Sequence, residues 1–166
     1  MRIFIVIALL TLVPALSNAQ AIDAPAGFSL WNTAQIKERG DRLEKELGSK
    51  KLVYETLGTY KGHSVYLVLR GKTAAPEFHE TEEDIQIGLR GTATFVVGGE
   101  LVDRRKLPRK QETGSAIKGG ARFSVGPGDV WYVPAATPHV LVIEPNNPFL
   151  YILIKVNEVP RNDQHK

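Results

Sequence analysis

Glu77 and His79 stand two residues apart, so a strand through them turns both side chains to one face. Asp84 follows five residues later, across a short turn crowded with Glu80, Glu82 and Glu83. Far downstream, Gly128 to His139 reads as a strand, a corner at Pro134 and a histidine that opens the next strand. Glu77, His79, Asp84 and His139 together offer two imidazoles and two carboxylates. Hard and borderline divalent metals take such donors: Fe(II), Mn(II), Zn(II) and Ni(II) all suit two histidines with one or two carboxylates. Two histidines and one carboxylate leave coordination positions open for oxygen or substrate, and a second carboxylate favours the harder metals. The alternative is a metal-free pocket in which His79 and His139 are hydrogen-bonded structural residues. The glutamates around His79 could raise the pKa of a neighbouring acid and create a general acid or base; the plainer reading is a solvated acidic turn.

One helix and many strands must position these groups. A helix is expected over about 33–47, capped at Asn32 or Thr33, with Gln35 completing a capping box from Asn32 and Gly48 at the stop. Ile36, Leu43 and Leu47 fall at helical spacing, Gly40 weakens the middle, and the amphipathic pattern suits a helix lying on a sheet. From Lys50 onward, short runs rich in Val, Ile, Tyr and Phe alternate with Gly, Pro and Asn. They read as strands near 51–57, 63–70, 76–80, 84–90, 92–97, 100–103, 122–125, 130–133, 138–144 and 149–156, the pattern of a sandwich or barrel. Gly98-Gly99 reads as a two-residue hairpin turn. The stretch 103–121 looks weakly structured; its Arg104, Arg105, Lys106, Arg109 and Lys110 make either a polyanion patch or a solvated basic loop. Along the strand after Asp84, Gln86, Gly88 and Arg90 share its face, and Ile85, Ile87 and Leu89 share the other. If Asp84 faces an interior, Gln86 does too, as a polar group of a substrate pocket; the alternative is a solvent-facing strand edge. His63 and His165 read as surface residues, and Trp131 and Tyr132 as core packing.

Taken together, the two segments resemble the motifs of the cupin family. The first cupin motif runs G-x5-H-x-H-x3–4-E-x6-G, and here it reads Gly71-x5-Glu77-x-His79-x4-Asp84-x6-Gly91. The second runs G-x5-P-x-G-x2-H-x3-N, and here it reads Gly128-x5-Pro134-x-Ala136-x2-His139, with Ile143 where the Asn would stand. Spacing matches throughout. The departures are Glu77 for the first His, Asp84 for the Glu, Ala136 for a turn Gly, and Ile143. The resemblance implies an all-β fold, a cupin-type jelly-roll barrel or sandwich with the N-terminal helix packed outside, and by the family's habit a homodimer. It implies a metal at Glu77, His79, Asp84 and His139. Glu77 trades a neutral ligand for an anion, and Asp84 is a methylene shorter than Glu. Two functions follow: a metal-dependent enzyme on a small molecule (dioxygenase, isomerase or lyase), or a non-catalytic module that holds a small ligand without metal.

Composition narrows the classes further. The 166 residues contain no cysteine, which excludes disulfides, thiolate metal sites and a cysteine nucleophile. A net charge of +3 with 23% charged residues is no signature of a nucleic-acid binder. Arg2 followed by the apolar run 3–13, a break at Pro14 and Ser17-Asn18-Ala19 reads as a signal peptide over 1–19, with a retained anchor as the rival. Cleavage after Ala19 leaves 147 residues for the periplasm or the exterior, with no membrane partner. The organisation expected is a lead-in and helix over 20–50, a barrel over 51–157 and a polar tail over 158–166.

Overall fold

The computed structural model describes residues 24–158, so the expected signal peptide, His165 and the tail beyond Glu158 lie outside the described residues. The chain divides into two units, Met1–Leu30 and Trp31–Lys166. In the first, the described residues 24–30 form a turn in which the Phe28 amide donates to the Pro25 carbonyl at 3.0 Å. The second holds the helix and every strand of the described residues.

Helix α1 spans Thr33–Leu47, with Asn32 as N-cap and a reciprocal capping box to Gln35, as the pattern implied. Gly40 has a reason to be there: a Cβ at this position would stand 2.7 Å from Leu150 Cδ2, so the missing side chain lets the helix approach the sheet.

Strands β1 (Leu52–Tyr60), β2 (His63–Arg70), β3 (Glu77–His79), β4 (Glu83–Arg90), β5 (Ala93–Val97) and β6 (Glu100–Val102) follow. Then come β7 (Arg105–Leu107), β8 (Gln111–Thr113), β9 (Ala116–Lys118), β10 (Ala121–Val125), β11 (Val130–Val133), β12 (His139–Val142) and β13 (Phe149–Val156). A five-stranded sheet in the order β1-β2-β13-β4-β11 faces a six-stranded one in the order β10-β5-β12-β3-β8-β7, and every pairing is antiparallel. Side chains from both sheets, among them Tyr66, Phe95, Leu141 and Phe149, fill the space between them. On the outer face of the five-stranded sheet, Leu67, Leu69 and Leu150 pack under Leu43 and Leu47 of α1. This is an all-β jelly-roll barrel with a helix outside.

Three expectations are corrected. The stretch 103–121 is not a loop: it supplies β7, β8 and β9. Its strands are three residues long, too short for an alternation to show. Gly98-Gly99 is not a hairpin turn. β5 pairs with β10 while β6 pairs with β9, so the two glycines sit opposite Gly119 and Gly120 in a kinked two-stranded ribbon. All four have positive φ, between 74° and 88°, and the sharp bend needs that freedom. Arg90 does not share the face of Asp84. Pairing with β13 slips between Leu150 and Tyr151, and the irregularity turns Arg90 outward to Asp41 and Glu44 of α1.

Candidate metal and substrate site

The two motif segments meet inside the barrel. His139 lies directly opposite Glu77 in the β12–β3 pair, and Asp84 lies opposite Lys155 in the β13–β4 pair. The Ala136 amide donates to the His79 carbonyl at 2.7 Å, tying the second motif's corner to the first motif's strand. Ala136 takes φ 57°, the left-handed conformation that suits the glycine of the family motif.

Glu77, His79 and His139 each place one donor atom within 4.8 Å of the others. His139 is 4% exposed; its Nδ1 lies 2.9 Å from the Thr137 carbonyl, so Nδ1 carries the proton and Nε2 is left with a lone pair. That Nε2 is buried and makes no hydrogen bond. Asp84 Oδ2 stands 3.4 Å from it. A histidine whose far nitrogen is fixed by a carbonyl, with the near one unspent, has the usual arrangement of a metal ligand. The three residues fit a divalent ion.

Asp84 divides its two oxygens: Oδ2 lies 3.4 Å from His139 Nε2 and 3.7 Å from His79 Nε2. Its Oδ1 accepts from the Lys155 ammonium at 2.9 Å, and both groups are buried. Lys155 Nζ also lies 3.2 Å from His79 Nε2 and 3.3 Å from Glu82 Oε2, so three acceptors face its three N–H donors. Burial alone would raise Asp84; contacts to His139, His79 and Lys155 instead hold it well below the usual carboxylate range. Burial lowers Lys155, yet the Asp84 charge carries it above its ordinary value. Burial and the Lys155 ammonium would lower His79, but Asp84 and Glu77 outweigh them and raise it to about 9, so the ring gains a proton readily when the ammonium is not against Nε2. An ammonium 3.2 Å from Nε2 needs a lone pair there, so the neutral ring fits the contact.

Glu77 is held from behind. Arg70 Nη2 donates to its Oε1 at 2.7 Å, and Arg70 Nε donates to Tyr151 Oη at 2.9 Å. Burial would raise Glu77, but Arg70 keeps its carboxyl far below the usual range. Its other oxygen, Oε2, lies 3.6 Å from His79 Nε2.

Gln86 is 4% exposed and faces the interior as expected of a pocket residue; its Oε1 makes no hydrogen bond. With Arg70, Glu77, Asp84 and His139 it lines a void of about 10 Å³, the size of one water. A larger cavity of about 220 Å³ adjoins it and shares Arg70, Tyr151 and Leu153. Leu52, Tyr54, Tyr66, Val68 and Lys155 complete the larger cavity's walls.

Several residues of this network escaped the sequence reading. Arg70 and Lys155 each end an apolar strand run, and their alternation with Tyr66, Val68, Tyr151 and Leu153 was the available signal. Glu82 does not belong to a solvated turn: it is 2% exposed and accepts from Gln111 Nε2 at 3.1 Å and Arg109 Nη2 at 3.3 Å. The acidic turn folds inward because two basic groups, Arg109 and Lys155, meet it from other strands and loops. The basic stretch is thereby partly spent on internal pairing; Arg104 also bonds Glu112 and covers the Phe78 ring at 4.3 Å. His63 is exposed and stacks on Tyr60. Trp131 packs against Phe95 and Phe149 as expected, but Tyr132 is 54% exposed, because alternation on β11 points it outward.

No protein-family model matches the sequence, and no curated protein matches it. Solved structures do share its shape. TT1209 from Thermus thermophilus aligns at 18% identity over 70% of this chain and 92% of its own, with a TM-score of 0.50. A cupin-2 domain protein from Rhodospirillum rubrum aligns at 13% identity over 67% of this chain and 63% of its own, with a TM-score of 0.49. A cupin superfamily protein from Desulfitobacterium hafniense DCB-2 aligns at 14% identity over 64% of this chain and 78% of its own, with a TM-score of 0.46. With two facing antiparallel sheets, an outer helix and both motif segments meeting between the sheets, the chain has a jelly-roll barrel fold, shared with TT1209.

Proposed function

We propose that this protein binds one divalent transition metal through Glu77, His79 and His139 and acts on a small molecule held in the adjoining cavity. The observation that carries the reading is His139 Nε2: buried, without a hydrogen bond, and within reach of the Glu77 and His79 donors. An unspent buried acceptor costs about 1–3 kcal/mol, a penalty that a bound ion removes. When bound, the ion would act as a Lewis acid on a ligand oxygen.

The chain's own residues supply the rest. Tyr66, Val68 and Leu153 present a partly apolar wall in a cavity of about 220 Å³, at the small end for ligand pockets. Arg70 holds Glu77 in place and keeps it ionised, while the Thr137 carbonyl fixes the His139 ring. Gln86 Oε1, without a hydrogen bond, is placed to accept one from a hydroxyl or amine of the substrate. Lys155 and Asp84 form a proton-bearing pair at the border of the two cavities. These features favour a lyase or isomerase type of reaction, in which a proton moves while an oxygen is polarised. Export belongs to the same reading, and the mature chain is expected to begin at Gln20 on N-terminal sequencing.

Metal titration of the purified chain with Zn(II), Mn(II), Ni(II) and Fe(II) tests the reading. The expected result is one equivalent bound to the wild type, and none to His79→Ala or His139→Ala. A folded wild-type protein that takes up none of the four overturns it, leaving a ligand-binding barrel.

A further inference from the structure

The site already holds a cation of its own. Lys155 is a single ammonium on an otherwise apolar eight-residue strand, FLYILIKV, and it stands among the groups the metal would use. Its three donors meet Asp84 Oδ1 at 2.9 Å, His79 Nε2 at 3.2 Å and Glu82 Oε2 at 3.3 Å. Such a set of convergent anionic and lone-pair acceptors around a point charge is what a metal ion would also seek. The residue is buried to 7% exposure, so solvent screens these contacts little.

We infer that Lys155 is a tethered competitor of the metal: it takes the His79 lone pair when the ion is absent and withholds Asp84 Oδ1 from the coordination sphere. The inference rests on the metal reading above and adds to it. His79 Nε2 cannot serve both cations at once. Metal entry therefore requires the ammonium to leave His79, and Lys155 has somewhere to go, because it also lines the cavity of about 220 Å³. Asp84, the residue at the position of the family's acidic ligand, stays bound to Lys155 and acts at second hand. Lys155 is thus a positioning residue that sets metal affinity and restricts the ion to three protein ligands.

The test is metal affinity, by competition with a chromophoric chelator using Zn(II) and Mn(II), for wild type, Lys155→Met and Lys155→Gln. Both variants remove the charge; Gln keeps a donor, for the case that Met leaves Asp84 and Glu82 too exposed to repulsion to fold. The expected result is at least tenfold tighter binding in either folded variant. Binding in the wild type with equal or weaker binding in the folded variants overturns the inference and leaves the metal reading standing. Binding in the variants alone supports the inference and overturns the metal reading for the wild type. No binding in any of the three overturns both. A measurement on the unaltered chain runs alongside: the Lys155 ammonium nitrogen resonance should move when metal is added, and a fixed resonance with metal bound overturns the inference.

Discussion

The two faces of the five-stranded sheet are built from the same strands and hold the molecule together by different physics. Outward, Leu67, Leu69 and Leu150 meet Leu43 and Leu47 of α1 in an apolar contact flanked by part-exposed ion pairs of Arg90 and Glu55 with the helix. Inward, one residue along each strand, Arg70, Tyr151, Lys155, Asp84 and Gln86 face a network of charges. The outer face gains about 1.5–3 kcal/mol for each large side chain buried. The inner face takes ionisable groups out of water, and each charge is tolerable only because a partner stands within hydrogen-bond distance. A period of two along the backbone is enough to separate scaffold from chemistry.

The separation can be broken from either side. Leu67→Ala and Leu150→Ala should each cost about 3–4 kcal/mol in urea unfolding, as deletions in closed apolar packing do, while metal stoichiometry stays at that of the wild type. A change in stoichiometry with the fold intact would show that the faces are coupled. Asp84→Ala comes next, at about 3 kcal/mol, because it leaves Lys155 short of its nearest anion. Adding Lys155→Met should then return part of that loss, so the double variant is less destabilised than the two single effects combined. Additivity would mean that the pair is not the unit described.

Acid sharpens the same contrast. Asp84 and Glu77 both have folded-state pKa values below their unfolded ones. Their contribution to stability is therefore complete above about pH 4, the unfolded value, and is lost as pH falls through the folded values. Melting temperature should fall on acidification below about pH 4, and Asp84→Asn should flatten part of that fall. The smallest effect is at the corner. Ala136→Gly relieves a left-handed alanine and should stabilise by about 0.5–1 kcal/mol without altering metal binding.

Most of the scaffold was legible because its signals are local. The Asn32–Gln35 box, Gly48 and the apolar alternation marked the helix and ten of the strands. Glu77, His79, Asp84, Gln86 and His139 stood out by type and spacing, and the fold gathers all five around the barrel interior. What stayed hidden depends on distant pairing. Lys155 lies 71 residues from Asp84, and no local pattern tells that its strand will lie beside β4. Glu82 looked like its exposed neighbours until Arg109 and Gln111 arrived from β8 and the turn before it. Asp84 was read as a ligand because its spacing matched; only the third dimension shows that a lysine engages its Oδ1 while Oδ2 faces the two histidines.

On the proposal above, the inner face offers three metal ligands and keeps the fourth candidate, Asp84, engaged with Lys155. Anomalous diffraction from crystals of the protein loaded with Zn(II) tests it most directly. One strong peak is expected inside the barrel, bonded to Glu77, His79 and His139, with Asp84 still paired to Lys155. A barrel without a peak, or a peak bonded to Asp84 in place of Glu77, would contradict it.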